Sequence, residues 1–346
     1  MSAKIALITG IGGQDGSYLS ELLLEKGYIV RGVVRRASYP HTERIDHLIK
    51  QHDERDPNCR FRIYYADLTD VSSLRNAIDL IQPDEVYNLG AQSHVGISFM
   101  TGESTLEINA IGTFRILDNL RKTGAKTRYY QASSSEMFGA SPPPQNENTP
   151  FLPQSPYGIS KVAAFYITRM HRIAYSMFSS NGILFNHESP RRGLNFVTRK
   201  ITTGIVKIIT GEESKLFLGN LDAKRDWGFS GDYVEAIWRI LQHHEPDDFV
   251  IATEDTHTVR EFLNETFGLL GLDWQDFVAV EDRYFRPAEV PALLGDASKA
   301  RRVLGWSPKI MFKDLCFMML ESDLKAKGLT LEKAKKIAKK LRKKNI

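Results

Sequence analysis

Apolar residues fall along this chain in short runs separated by longer stretches with helical spacing. Residues 4–9 form a β-rich apolar run, after which Tyr18, Leu19, Leu22 and Leu23 recur at the interval of one helix face. The plan repeats with apolar runs at 28–34, 61–66, 85–89 and 127–133, and with a helix predicted over 106–121. A second long helix over 156–177 and a run at 182–185 extend it. Strands alternating with helices predict βαβ units, a parallel sheet and a ligand crevice outside the strands' carboxyl ends. The expected fold class is α/β, a Rossmann-type doubly wound parallel sheet with a smaller mixed α/β substrate-binding region. Residues 1–186 should hold the first domain, with its cofactor segments recurring at 187–192. Residues 187–324 should form the smaller region, interleaved with the first, and 325–346 a tail. Alternation weakens past residue 193; a helix over 196–209 and a short strand at 216–220 are predicted, while 248–252 and 284–287 read as parts of the smaller region.

Composition narrows the class. The chain has 346 residues, 42% hydrophobic and 25% charged, as in a soluble globular protein. Its apolar runs fall short of the ~20 residues of a membrane span, so no membrane partner is expected. Met1-Ser2-Ala3-Lys4 leads straight into a strand pattern, with no signal or transit peptide expected. Cys59 and Cys316 have no ligand spacing; they predict no metal and fit a reducing, cytoplasmic setting. The net charge of +4 is a tail property, because residues 325–346 carry ten Lys and Arg against Glu332 alone. The rest of the chain is acidic, so no nucleic-acid partner is expected. Leu331, Ala334, Ile337, Ala338 and Leu341 are spaced for an amphipathic helix in that tail.

Candidate chemistry collects at the predicted strand ends. Gly10, Gly13 and Gly16 lie between the first strand and first helix, where backbone N–H groups can receive a pyrophosphate. The second strand ends in Arg35 and Arg36, where an NAD site would carry an acid; paired arginines suit a 2′-phosphate, and the expected cofactor is NADP. Asp67 ends the third strand, placed to accept from an adenine amino group, and small residues follow the fourth. Tyr157 and Lys161 are four apart on one helix face, and Ser134 and Glu136 lie upstream at another strand end. A phenol near ~10 must drop by roughly 3 units to act as a base at neutral pH. A close ammonium and a cationic nicotinamide can supply that shift. Alone, such a pair also fits an ordinary helix surface. With Ser134 on the same oxygen, Tyr157 and Lys161 can oxidise a secondary alcohol. Glu136 can then remove the acidified proton beside the new ketone, expelling a β-hydroxyl as water. Asn186, Arg192, Lys200, Arg225 and Arg286 follow on substrate-side loops, where cations can hold a diphosphate.

Several stretches make the chain resemble the GDP-mannose 4,6-dehydratases of the extended short-chain dehydrogenase/reductase superfamily. They are residues 10–24, 84–95, 131–139 and 155–161, and most tellingly 181–193, 197–201, 219–227 and 284–287; the resemblance spans roughly 3–320. It implies GDP-mannose as substrate, GDP-4-keto-6-deoxy-mannose as product and tightly held NADP. Catalytic roles fall on Ser134, Glu136, Tyr157 and Lys161. Cofactor contacts fall on Gly10, Gly13, Gln14, Asp15, Gly16, Arg35, Arg36, Asp67, Leu68, Leu89, Gly90, Ala91, Gln92, Ser93, Tyr157, Lys161, His187 and Arg192. Sugar-nucleotide contacts fall on Ser93, Ser134, Glu136, Asn186, Lys200, Arg225, Arg286 and Glu289. It also implies a homodimer or homotetramer, with the loop 36–44 reaching toward a neighbour's cofactor. Three departures stand out: Ser134 replaces a Thr, Met137-Phe138 a Leu-Tyr, and Gly12 a Thr. They leave open a bifunctional dehydratase-reductase or a related 4-keto reductase. A non-enzymatic RNA-binding protein, using the basic tail, is the reading from another class.

Overall fold

The computed structural model describes residues 3–39, 41–53, 55–124 and 126–342. The first two residues, Pro40 of the 36–44 loop and the last four residues of the basic tail lie outside them. Strands β1 (Ile5–Thr9), β2 (Ile29–Val34), β3 (Phe61–Tyr65), β4 (Glu85–Asn88), β5 (Arg128–Ser134) and β6 (Ser179–Leu184) open the chain. Then come β7 (Asn186–Glu188), β8 (Leu216–Leu218), β9 (Lys224–Phe229), β10 (Asp248–Ile251), β11 (Thr256–Thr258) and β12 (Val278–Val280).

Seven strands form one parallel sheet in the order β10-β6-β5-β4-β1-β2-β3. Side chains two apart on a strand share a face, which sorts its apolar residues into two cores. Ala6, Ile8, Val30, Tyr87, Tyr130 and Ile183 face one core with Leu19, Leu23, Tyr233, Ile237 and Leu241 from flanking helices. Leu7, Val33, Val86 and Tyr129 face the other with Leu74, Ile78, Ile116 and Leu120. Strand order reverses between β1 and β4, so the connections leave in opposite directions and open a crevice there. This is the Rossmann-type sheet that the alternating pattern predicts.

One stretch sits elsewhere than expected. Residues 248–252 read as part of the smaller region, yet β10 pairs with β6 as an edge of the main sheet. Phe249, Val250, Ile251 and Ala252 are buried in the main core. A four-residue apolar run gives no hint of which sheet it joins; long-range packing decides that. The helix predicted over 106–121 also differs. It starts at Gly102 and passes through a π turn, Glu107–Ile111, before running on over Gly112–Thr123.

The smaller region contains a sheet ordered β11-β9-β7 and a pair β12-β8. Its core joins Ile201, Ile205, Trp227, Phe262, Leu315 and Met319. Asp226 staples it to the main sheet. Its carboxylate accepts from the Thr253 amide (2.8 Å) and hydroxyl (2.7 Å), the Glu254 amide (3.0 Å) and the Gly295 amide (3.3 Å). Burial pushes that carboxyl up to about 6 despite those bonds. The amphipathic tail spacing forms a helix, Leu331–Arg342, whose Ala334 and Ala338 are fully buried with Leu331, Ile337 and Leu341 alongside. Among the described residues no helix is long and apolar enough to cross a membrane, and no group of His, Cys, Asp or Glu could hold a metal ion.

Burying an unpaired carboxylate under the tail helix should undock it. Ala338→Asp is expected to lower unfolding stability by about 2 kcal/mol, read by urea denaturation.

Candidate active site

A cleft of about 780 Å³ lies at the carboxyl ends of the main strands. Ser134, Glu136, Tyr157 and Lys161 line it together with Asn186, His187, Arg192, Lys200, Arg225, Arg286 and Glu289. Asp15, Leu89, Ala91 and Ser93 line its other end. Gly10, Gly13, Gln14, Gly16, Arg35, Arg36, Asp67, Leu68, Gly90 and Gln92 do not line the cleft.

Ser134 ends β5, and its hydroxyl accepts the Glu136 amide at 3.2 Å, starting a tight 3₁₀ turn. That turn aims Glu136 inward: it is only 6% exposed, so this is not a carboxylate facing water. Tyr157 and Lys161 sit in the first turns of the helix Pro156–Tyr175. Pro156 suits a first helical position, and the Ser155 hydroxyl caps it by accepting the Gly158 amide at 3.0 Å. A Cβ at Gly158 would lie 2.8 Å from the Glu136 carbonyl oxygen, so glycine lets the helix close on the Glu136 turn. Met137 and Phe138 are buried in the main core, which makes that departure a matter of packing.

In this cleft burial dominates the two reactive groups. It pushes the Tyr157 phenol up to about 12, against the facing Ser134 hydroxyl, and the nearby Glu136 carboxylate adds to the rise. It pushes the Lys161 ammonium down to about 8, against the attraction of Asp15. The Lys161 ammonium donates to the Ala132 carbonyl oxygen at 2.8 Å. The lysine is therefore held in place, but the phenol awaits further positive charge before it can serve as a base.

The glycine turn is shaped for an anion. Gly10 has φ +68°, and a Cβ there would come within 2.8 Å of the Gly90 amide nitrogen. Helix Gln14–Glu25 starts at Gly13 with no side-chain cap, leaving its first N–H groups free. Gln14 itself turns inward: its amide donates to the His187 carbonyl (3.0 Å), and its carbonyl accepts the Ser189 hydroxyl (2.8 Å). Asp15 accepts from His187 Nε2 (2.8 Å) and the Ser230 hydroxyl (2.8 Å), while His187 Nδ1 donates to the Phe185 carbonyl (2.7 Å). Both ring nitrogens face acceptors, an arrangement that favours the protonated ring. Burial alone would raise Asp15, but the His187 charge and hydrogen bond hold it well below the usual carboxylate range. Burial opposes a charged His187 likewise, and Asp15 outweighs it, so His187 is raised.

Arg35 and Arg36 are exposed beyond β2, with Arg36 near the Tyr65 ring. Asp67 is engaged by the Thr69 amide (2.9 Å) and hydroxyl (2.8 Å). The end of the 36–44 loop folds onto this chain's own glycine turn, Arg44 donating to the Arg191 (2.6 Å) and Gly12 (3.3 Å) carbonyls. A Cβ at Gly12 would meet the His41 carbonyl oxygen at 2.5 Å, which accounts for the absence of a threonine.

At the far end, Arg225 donates to the Lys224 (2.9 Å) and Val290 (2.8 Å) carbonyls and to Glu289 (3.0 Å). Lys200 lies 3.6 Å over the Tyr284 ring, and Arg192 pairs with Glu188 at 3.1 Å. The buried Asn186 side-chain oxygen has no hydrogen-bond partner among the described residues. Sequence reasoning missed Asn109. From the π turn its carbonyl accepts the Gln92 amide (2.9 Å), and its amide donates to the Gln92 carbonyl (3.0 Å) and Ser160 hydroxyl (2.9 Å). It ties the 89–93 segment to the catalytic helix. Its only sequence signal is an asparagine inside a helix, where it is a poor former.

The Asp15–His187 pair sets a pH window. His187 is raised, so its share of stability is complete below the free imidazole value (~6.5) and lost as pH climbs through the raised value. Asp15 is depressed, so its share holds above the free carboxyl value (~3.9) and is lost only in acid. Above neutrality the Tm should therefore fall more in the parent protein than in Asp15→Asn. The expected difference is about 1 kcal/mol, a degree or two, by calorimetry across pH.

The family model described as GDP-mannose 4,6 dehydratase matches residues 7–319. GDP-mannose 4,6 dehydratase 2 of Arabidopsis thaliana is 58% identical over 326 residues, covering 93% of this chain and 87% of the relative. GDP-mannose 4,6-dehydratase of Vibrio cholerae serotype O1 is 49% identical over 354 residues, covering 94% of each. Among solved structures, the dTDP-glucose 4,6-dehydratase of Bacillus anthracis, in complex with NAD, superposes with a TM-score of 0.79 at 20% identity. That match covers 95% of this chain and 99% of the other, and shows the fold.

Proposed function

The chain belongs to the GDP-mannose 4,6-dehydratase family, and from that premise we propose how its cleft turns GDP-mannose into GDP-4-keto-6-deoxy-mannose and water. The observation that carries the reading is Glu136. A buried carboxylate shares the cleft with Ser134, Tyr157 and Lys161, and that fourth group separates a dehydratase from a simple alcohol dehydrogenase.

A nicotinamide cofactor fits the glycine turn, whose uncapped helix start and missing Cβ atoms leave room for a pyrophosphate. When bound, it takes up a hydride and later returns it. Arg35 and Arg36, with no acid between Val33 and Tyr39, support NADP over NAD. The proposed cofactor contacts are the turn from Gly10 to Gly16, Asp67, Leu68, the 89–93 segment, His187 and Arg192. The proposed sugar-nucleotide contacts are Ser93, Asn186, Lys200, Arg225, Arg286 and Glu289.

Tyr157 takes the proton of the sugar's 4-hydroxyl, and Ser134 holds the same oxygen. Lys161 keeps a positive charge beside the phenolate, which a cationic ring next to it also favours. The 4-ketone acidifies the proton on C5, and Glu136 removes it as the C6 hydroxyl leaves as water. The proton taken by Glu136 leaves with that hydroxyl, and with the hydride returned at C6 the proton held by Tyr157 would pass to C5, so the overall change is dehydration without net redox.

Exposed apolar side chains support assembly into a homodimer or homotetramer. Leu106, Ile111 and Phe114 lie beside Ile159, Tyr166, Met170 and Ile173 of the catalytic helix. The buried, unpaired Cys59 and Cys316 support work in a reducing compartment.

Incubation with GDP-mannose and NADP should yield a product one water lighter by mass spectrometry; unchanged GDP-mannose would refute the proposal. Glu136→Gln should slow water loss by 10²–10⁴-fold while 4-hydroxyl oxidation continues, so that GDP-4-keto-mannose still carrying its 6-hydroxyl accumulates. Normal turnover would mean another base. Arg36→Asp should cut the preference for NADP over NAD by roughly tenfold or more, measured as the ratio of cofactor Kd values.

A further inference from the structure

Carboxylates and guanidiniums alternate along one wall of the cleft in the order Glu136, Arg286, Glu289, Arg225. Arg286 Nη1 lies 3.5 Å from Glu136 Oε1 and 3.7 Å from Glu289 Oε1. It is buried, yet it donates a hydrogen bond to neither. The same Glu289 oxygen accepts from Arg225 Nη2 at 3.0 Å, and Arg225 is further fixed by two backbone carbonyls. One arginine is thus anchored, and the other is suspended between two anions. A buried N–H with no acceptor is unfavourable, so this position is a compromise between two carboxylates of similar pull. Among the described residues, Arg286 is the only ion-pair partner of the Glu136 carboxylate.

We propose that Glu289 is a positioning residue that keeps Arg286 from closing on Glu136, and that the substrate's diphosphate completes the withdrawal. The proposal rests on the reading of Glu136 as the base. A carboxylate gripped by a guanidinium has its lone pairs occupied and its charge compensated, which makes it a poorer proton acceptor. Glu289, 3.7 Å from Arg286 Nη1, competes for that cation. A diphosphate carries more charge and more acceptor oxygens than either carboxylate, and adds its pull on Arg286 to that of Glu289. Arg286 thereby reports occupancy of the diphosphate site to the group that removes the C5 proton. A sugar seated without its diphosphate would face a base with the Arg286 charge still 3.5 Å away, so water loss is favoured when the nucleotide end is bound.

The test compares isotope effects on turnover of the full-length, cofactor-loaded protein with GDP-mannose deuterated at C4 or at C5. In Glu289→Gln, Arg286 should close on Glu136 and make C5 proton removal limiting. Turnover should fall about tenfold, the C5 isotope effect should grow, and the C4 effect should shrink toward unity. Glu289→Asp, which keeps the charge, should bring both isotope effects back toward the parent values relative to Glu289→Gln, even where its KM is raised. Adding Arg286→Gln to Glu289→Gln should return the C5 effect to the parent value while raising KM. Arg286→Gln alone should raise KM with a C5 effect no larger than the parent's, a reading that holds even if Glu289→Gln does not fold. The proposal is overturned if Glu289→Gln raises KM with both isotope effects unchanged, if the double variant keeps the enlarged C5 effect, or if Arg286→Gln alone enlarges it. Loss of water from Glu136→Gln at the normal rate would instead sink the underlying assignment of the base.

Discussion

The Asp15–His187 ion pair is the contact on which the site's architecture depends. It joins the glycine turn after β1 to strand β7, which belongs to the smaller region. Asp15 is further satisfied by Ser230, and His187 by the Phe185 carbonyl with its ring stacked on Tyr233. Removing either partner would strand a charge in a largely buried place, which destabilises more than the intact pair stabilises. The turn for the cofactor and the wall facing the substrate are therefore positioned as one unit.

That unit holds its reactive groups in a resting condition. Burial raises the Tyr157 phenol and lowers the Lys161 ammonium, each away from its charged form. Arg286 meanwhile hovers near Glu136. The groups proposed for the two halves of the reaction are thus both restrained by the protein around them, one by desolvation and one by a neighbouring cation. On the proposed reading, the charges of cofactor and substrate shift each balance, which would confine chemistry to the ligand-bound site.

Much of this was legible in the sequence because it is local. Short apolar, β-rich runs place β1 to β6, and the i,i+4 spacing of Tyr157 and Lys161 needs no tertiary information. Ser134 and Glu136 follow from their position at a strand end. The resemblance placed His187 at the cofactor, but its partner Asp15 is 172 residues away, and no pattern links them. Asn109, the Asp226 staple and the Glu136–Arg286–Glu289 series were hidden for the same reason. Each depends on distances across the folded chain between residues that are unremarkable in their own segments. Arg225 was legible as a cation but not as one already committed to Glu289 and two carbonyls.

The placement of β10 bears on how the protein comes into being. Residues 1–186 contain six of the seven strands of the main sheet, but the edge beside β6 stays open until residues 248–251 have been made. An unpaired edge strand next to a buried apolar core is a template for wrong pairing. During synthesis, at about 5–20 residues per second, that edge would stand uncovered for several seconds, through the translation of a little under half of the smaller region. A nascent chain arrested between residues 186 and 248 should be the most aggregation-prone length of this protein, and the one with most need of a chaperone.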